Sequence, residues 1–287
     1  MVYLKHFWYF LCHALSKLGL LKYFNFTITK KTGNRSLRIP IVNGIGYYNL
    51  MSTEHWFEQL LPKLIDKKKG IFLDVGVNLG QTIVKLEGLD PEIAYIGFEP
   101  NPVCYNYSRQ LLLANNLTNK LIYPVGLSDK TEIVRLFGNN EIASGASIIA
   151  DFRTGEEFHK VVQIVPVMKG DEVLEPSTYN AIGLIKVDVE GAELEVLKGL
   201  EKVLNLSKPN LVVEILPVYT LTNENGIKRK RRQDDLLTFL KRLGYQLYLI
   251  NENTATLSKL DDIEVHGDMG RTNYLFVHDS KQQILNN

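Results

Sequence analysis

The chain has 287 residues, 45% of them hydrophobic, with 33 Lys and Arg against 32 Asp and Glu and a formal net charge of +1. That length can bury a full core, and the near-neutral balance excludes a globally basic nucleic-acid binder. The two cysteines, Cys12 and Cys104, lack the clustered spacing of a metal site or a disulfide framework, so a reducing, cytoplasmic setting is expected.

Residues 1–69 read as a helical and β extension ahead of the main domain. Val2 to Phe24 is rich in Phe, Trp, Tyr and Leu, but Lys5, His6, His13 and Lys17 interrupt every apolar run short of the ~20 residues a membrane span needs. Two readings stay open: a helix packed on the domain, or an interfacial helix with basic flanks and aromatic anchors that gives a peripheral membrane contact. No acidic residue precedes Glu54, whereas Lys5, Lys17, Lys22, Lys30, Lys31, Arg35 and Arg38 do. Phe24 to Thr29 and Leu37 to Val42 predict two short strands around a Lys-Thr-Gly-Asn turn, and Thr53 to Ile65 predicts a helix.

From Gly70 to the C-terminus, apolar runs of strand length alternate with helical periodicity, which predicts βαβ units in one doubly wound α/β domain spanning 70–287. The strands read as Ile71 to Val75, Ala94 to Phe98, Leu121 to Val125, Leu184 to Val187, Leu211 to Ile215, Gln246 to Ile250 and Asn273 to Val277. Asn101-Pro102 caps a helix running to about Asn115. Leu194, Leu197, Leu200 and Leu204 share one helical face, as do Leu236, Leu237, Leu240 and Leu243 before Gly244. Thr131 to Phe137 and Val161 to Val167 read as extra strands flanking a polar loop.

The most informative segment, Ile71-Phe72-Leu73-Asp74-Val75-Gly76-Val77-Asn78-Leu79-Gly80, is an apolar strand entering a glycine turn at the ligand-binding edge of such a sheet. Gly76 permits close backbone approach and Gly80 tight entry into the helix. The G-x-G-x-x-G spacing that cradles a pyrophosphate is absent, and Asp74 suits a cationic or hydroxyl-bearing ligand better than a phosphate. Glu99, in Phe98-Glu99-Pro100-Asn101-Pro102, falls about 20 residues past the turn, where an acid can accept from both ribose hydroxyls.

With these blocks and Val125-Gly126-Leu127-Ser128-Asp129, and above all Ile185-Lys186-Val187-Asp188-Val189-Glu190-Gly191-Ala192-Glu193 followed by Val196-Leu197-Lys198-Gly199, the chain resembles the FkbM-type methyltransferases among the class I S-adenosylmethionine-dependent enzymes. The resemblance covers roughly Tyr47 to Ile215. It implies a Rossmann-like, seven-stranded, mostly parallel sheet whose last strand is antiparallel. It places Asp74, Gly76 and Gly80 around the methionine moiety of S-adenosylmethionine, Glu99 on the ribose, and Ser128 and Asp129 near the adenine. Asn78, Pro100 and Asn101 complete the expected cofactor site. Met168-Lys169-Gly170-Asp171 departs from the Leu-Asp usual in related sequences, so no role carries over to it. The implied acceptor is a hydroxyl of a sugar or secondary metabolite in surface-polysaccharide or natural-product modification.

Methyl transfer to a hydroxyl needs positioning and removal of a proton, by a side chain or through a metal. Lys186, Asp188 and Glu190 alternate along one strand end and so project to one side. Asp188 is the candidate base or ligand of a divalent metal, Glu214 the second carboxylate and possible metal ligand, and Lys186 the group that orients Asp188 or the acceptor oxygen. The plainer alternative is an ion-paired strand end with Glu190 or Glu193 capping the next helix. His55 and His159 are candidate bases that read more simply as surface residues. The run Lys228, Arg229, Lys230, Arg231, Arg232 reads as a solvated face or as a grip on an anionic acceptor. Competing functions are a nicotinamide-dependent sugar-modifying enzyme, disfavoured by the turn spacing, and a catalytically silent binding module. Nothing in the residues fixes an oligomeric state.

Overall fold

The computed structural model describes residues 7–65, 70–139, 145–149 and 160–281. Helix α1 (Phe7–Lys17) leads into an antiparallel hairpin of β1 (Phe26–Thr32) and β2 (Arg35–Ile41), with Phe26 opposite Ile41 and Thr32 opposite Arg35, and then into α2 (His55–Leu64). The domain proper begins with β3 (Ile71–Val75), α3 (Gln81–Leu89), β4 (Ala94–Phe98), α4 (Pro102–Ala114) and β5 (Lys120–Tyr123). Asn101 caps α4 by accepting a hydrogen bond from the Val103 amide at 3.0 Å, and Pro102, which has no N–H to leave unpaired, takes the first turn.

The middle of the chain holds β6 (Gly126–Ser128), β7 (Glu132–Phe137), β8 (Val161–Lys169) and a short α5 (Gly170–Val173). The remainder comprises β9 (Ile182–Val187), α6 (Glu193–Gly199), α7 (Glu201–Ser207), β10 (Asn210–Glu214), α8 (Glu224–Arg242), β11 (Tyr245–Asn251), β12 (Thr256–Leu260) and β13 (Asn273–His278). The main sheet runs β12-β11-β13-β10-β9-β3-β4-β5. Strands β5, β4, β3, β9 and β10 are parallel, while β13 runs antiparallel to both its neighbours. This is the doubly wound, Rossmann-like α/β class. The central strands are buried on both faces, which is why Ile182–Val187 reads as a nearly unbroken apolar run rather than an alternating one.

Three expectations are corrected. The sheet has eight strands because β12 pairs with the edge of β11. The run expected from Leu121 to Val125 leaves the main sheet after Tyr123, at Pro124, which has no amide hydrogen for the ladder. The chain resumes as β6, paired with β8 in a separate three-stranded sheet of order β6-β8-β7. The leucines at 194, 197, 200 and 204 are all buried, but their helix breaks at Leu200 into α6 and α7. Asp171, in the segment with no carried-over role, accepts from the Lys202 and Val203 amides at 2.9 and 3.3 Å and so caps α7.

Two apolar layers sandwich the sheet. One joins Leu73, Val75, Ile185, Val187 and Val213 to α6, α7 and α8; the other joins Phe72, Tyr95 and Leu184 to Trp56, Phe57 and Leu60 of α2 and Ile83 of α3. The N-terminal elements form a third cluster in which Cys12, Leu21, Ile28, Leu37 and Ile39 pack on Val84 of α3 and Leu111 of α4. Among the described residues no helix is long and apolar enough to cross a membrane.

Candidate active site

Strand order reverses between β3 and β9: β3 continues through α3 to β4 on one side, while β9 arrives on its other side after the small sheet. A crevice opens at the carboxyl ends of strands at such a point. Here it is a cavity of about 270 Å³ whose floor is the tips of β3, β4 and β9.

The backbone holds these tips together. The Gly76 amide donates to the Phe98 carbonyl at 3.0 Å, tying β3 to β4, and the Asp188 amide donates to the Val75 carbonyl at 2.9 Å, tying β9 to β3. Gly76 has φ +96°, and a Cβ built on it would collide with the Asp188 carbonyl oxygen. The position therefore demands glycine on both conformational and steric grounds. The turn continues through Asn78 at φ +50° to Gly80 at φ +75°, where α3 starts.

Glu99 sits at the tip of β4, 6% exposed, on the cavity wall. Its Oε2 accepts from the Asn78 amide at 2.7 Å and its Oε1 from the Asn101 amide at 2.8 Å. Each oxygen retains a second lone pair for a ligand hydroxyl. Burial pushes this carboxyl up to about 7, the Asn101 and Asn78 amides oppose the rise, and the Asp74 and Asp188 charges add to it.

Across the cavity, Asp188 is partly exposed and accepts from Lys186 Nζ at 2.7 Å. Lys186 is itself buried; burial disfavours its charge, but Asp188, Asp74 and Glu54 outweigh that and hold the ammonium above its ordinary range. Glu214, at the tip of β10, is pushed up to about 10 by burial, by the Asp188 charge and by a hydrogen bond shared with Asp188. All three favour its protonated form. Asp188, Glu190 and Glu214 bring carboxylate oxygens within 4.8 Å of one another.

Gly76, Asn78, Glu99, Pro100, Asn101, Asp188 and Glu214 all line the cavity, as does Glu190. Asp74 does not. It lies fully buried below the strand tip, where Tyr95 donates to its Oδ2 at 2.7 Å and Lys186 is its register partner. Burial raises its carboxyl to about 6, against the pull of Lys186 and of the Tyr95 hydroxyl. Gly80 shapes the turn from behind, against Leu111 and Ser108 of α4. Ser128 and Asp129 are carried off the wall because β6 turns to follow β8: Ser128 is buried with its carbonyl against Gly199, and Asp129 borders a separate surface groove with Lys169, Lys198 and Arg242.

The residues that sequence reasoning missed are the apolar wall. Phe98 and Cys104 border Glu99, while Leu127, Leu136 and Val167 come from the small sheet and Ala146 and Ile148 from the described segment 145–149. Ser147 pins that segment by donating from Oγ to the Glu190 carbonyl at 2.6 Å. The inward phase of the strands around Leu136 and Val167 was the only available signal. Glu193, the first residue of α6, turns back to accept from the Gly191 amide at 2.7 Å, ahead of the helix, and the N-cap Ala192 makes no side-chain cap.

The basic run lies on α8, and none of it lines the cavity among the described residues. Arg232 donates to the Gly191 carbonyl at 2.8 Å and pairs with Glu195 at 2.5 Å, and Lys230 pairs with Asp234 at 2.7 Å. These two side chains are thus engaged within the chain, whichever of the two readings of the run, solvated face or grip on an anionic acceptor, the others follow. His55 is exposed on α2 beside Glu58, and His159 lies outside the described residues.

Comparison with known proteins gives relatives of one kind. Methyltransferase sdnD of Sordaria araneosa is 30% identical over 160 residues, 45% of this chain and 60% of that protein. Methyltransferase 1 of Beauveria bassiana (strain ARSEF 2860) is 24% identical over 144 residues, 45% of this chain and 57% of that protein. The chain thus spans less than two thirds of the length of these curated relatives. A solved methyltransferase FkbM from Methylobacillus flagellatus KT aligns with 81% of this chain and 50% of its own at 16% identity and a TM-score of 0.49. The family model for the methyltransferase FkbM domain matches residues 74–247, from the Asp74 turn through every cavity-building strand to β11, and the chain belongs to that family.

Proposed function

We propose that the chain transfers a methyl group from S-adenosylmethionine to a hydroxyl of a sugar or secondary-metabolite acceptor. The observation that carries this reading is one cavity with a ribose-type carboxylate, Glu99, on one wall and the charge-coupled carboxyls Asp188 and Glu214 on another, with the buried Lys186 ammonium behind Asp188. S-adenosylmethionine supplies a methyl group already activated on a positively charged sulfur, so the chain's own task is to bind, orient and remove a proton.

Glu99 offers its two free lone pairs to the ribose diol, held in place by the Asn78 and Asn101 amides. The apolar wall of Phe98, Leu127 and Val167 suits the adenine ring. Gly76 lets the backbone come close to the methionine end.

Asp188 takes the acceptor's hydroxyl proton as the new oxygen–carbon bond forms. The Lys186 ammonium keeps Asp188 oriented, and Glu214, whose protonated form burial and the Asp188 charge favour, steadies it by their shared hydrogen bond. The oxygen-only set Asp188, Glu190 and Glu214 could in charge and spacing hold a hard divalent ion. However, Lys186 already supplies the positive charge at Asp188 at 2.7 Å, so this donor set fits such an ion poorly and no step is assigned to one.

Calorimetry with S-adenosylhomocysteine and with the nicotinamide dinucleotides tests the cofactor, and labelled methyl donor with a panel of hydroxylated acceptors tests the reaction. Binding of the homocysteine compound alone, with label transferred to an oxygen, is the expected result. Preference for a dinucleotide, or binding without transfer to any acceptor class, would overturn the reading in favour of an oxidoreductase or a silent module respectively.

A further inference from the structure

Helix α1 packs one side on the protein through Cys12, with Tyr9 and Leu15 half-buried beside it. Its outward side should then be polar, as on any surface helix of a water-soluble protein. Instead Phe7, Leu11 and Leu18 repeat at helical spacing on the solvent side, and Phe10 and Trp8 flank them. Phe7 and Phe10 are each 55% exposed, Trp8 49% and Leu18 70%. The patch continues past the helix through Leu20, Tyr23 and Phe24, which are also exposed.

An apolar patch of this extent marks a surface that is covered by something. The charge around it says what. Across residues 1–53 there is no acidic side chain, and Lys17 and Lys22 lie exposed within the patch, Lys22 with its ammonium 5.2 Å from the Tyr23 ring centroid. Trp, Tyr and Phe on a helix with a basic surround and no compensating acid is the composition that seats a helix in the headgroup layer of an anionic bilayer. A self-associating face would place these cations against their own copies, which costs affinity. With no membrane-spanning helix among the described residues, the geometry is of lying on the surface.

We propose that α1 and the segment to Phe24 form a docking surface for an anionic membrane, with Phe7, Trp8, Phe10 and Leu18 inserted at the interface and Lys17 and Lys22 on the headgroups. The same N-terminal unit reaches the cofactor turn: Asn49 donates from Nδ2 to the Leu79 carbonyl at 2.6 Å, one residue beyond Asn78. Docking therefore fixes the cavity's attitude to the bilayer.

The full chain should be mixed with vesicles of phosphatidylcholine alone and of phosphatidylcholine with phosphatidylserine. Both sedimentation and tryptophan emission can be followed. Trp56 is 2% exposed, so a blue shift reports Trp8. The expected result is co-sedimentation and a blue shift with the anionic vesicles, weakened by salt, and lost in Phe10→Glu/Leu18→Glu. Lys17→Ala/Lys22→Ala should weaken partition by roughly fivefold per side chain. All four positions are exposed, and circular dichroism of the variants checks folding. Absence of vesicle binding by the wild-type chain, or equal binding by the Phe10→Glu/Leu18→Glu chain, overturns the proposal. So does a wild-type dimer that ignores vesicles and is dissolved by that variant, which would assign the face to a second copy.

Discussion

Replacing Gly76 with alanine tests whether the interlock between β3 and β9 sets the cavity. At φ +96° an L-residue is strained by about 1–3 kcal/mol. The added methyl would also lie far inside the roughly 3.5 Å of a normal nonbonded contact with the Asp188 carbonyl oxygen, a backbone atom that no rotamer change can move. Relief requires shifting the Asp188 backbone, which endangers the 2.9 Å hydrogen bond from its amide to Val75 at a further cost of about 1–3 kcal/mol. The lower unfolded-state entropy of alanine returns only about 0.4–1 kcal/mol. The net loss is therefore about 2–5 kcal/mol, which at roughly 2–4 °C per kcal/mol for a domain of this size lowers Tm by roughly 4–20 °C. Gly80→Ala is the control: its φ is +75°, but its nearest neighbour is the terminal carbon of Leu111 at 2.9 Å, which can swing away. That variant should lose about 1 kcal/mol, the strain of a single left-handed residue less the entropy return. Thermal and urea melts of the two variants decide the matter. A Gly76→Ala chain as stable as the wild type, or one harmed less than Gly80→Ala, would refute the interlock.

Asp188→Asn should reduce turnover by roughly 10²- to 10⁴-fold, the usual contribution of a general base, while S-adenosylhomocysteine affinity measured by calorimetry stays near that of the parent; retained turnover removes Asp188 from the chemistry. Because Glu99 accepts from the ribose only as a carboxylate and its free carboxyl stands at about 7, affinity for the same compound should fall as pH drops below that value, by up to about tenfold per unit, and Glu99→Gln should be weak at every pH. Glu193 is lifted to about 8 by burial, against its Gly191 hydrogen bond. A raised folded-state carboxyl binds its proton more tightly than the unfolded chain does. Its stabilising contribution is thus complete below about 4.5 and lost as pH rises to about 8, so Tm should decline over that window and decline less in Glu193→Gln. A chelator should leave methyl transfer unchanged, and loss of activity restored by a divalent ion would return the acidic trio to a metal role.

What was legible in the sequence was whatever short-range pattern encodes. The strand tips of β3, β4 and β9 each carry a block in which apolar residues end on a glycine turn or an acid, so the strand-end places of Gly76 and Glu99 and the alternation of Lys186, Asp188 and Glu190 could be read from spacing, with the family resemblance joining these blocks into one site. The wall could not. Leu127, Leu136 and Val167 reach the cavity only because Pro124 diverts the chain from the main sheet into a second one, a long-range pairing with no local signature. The break at Leu200 was hidden for a related reason: the leucine spacing continues across it, while the cap that starts the second helix, Asp171, lies far upstream. β12 was missed because Thr256–Leu260 is a mostly polar edge strand, without the apolar face that betrays the others. The run on α8 looked like a free basic patch because the acids and carbonyls that engage Lys230 and Arg232 include Glu195, Asp262 and Gly191, all distant in sequence.

The three-stranded sheet shares no ladder with the strands that carry Glu99 and Asp188. Its side chains can consequently be exchanged for larger or smaller ones without straining the hydrogen bonds that tie the tips of β3, β4 and β9 together. A lineage, or an engineer, could reshape this wall of the cavity by altering Leu136 while leaving the strand tips as they stand.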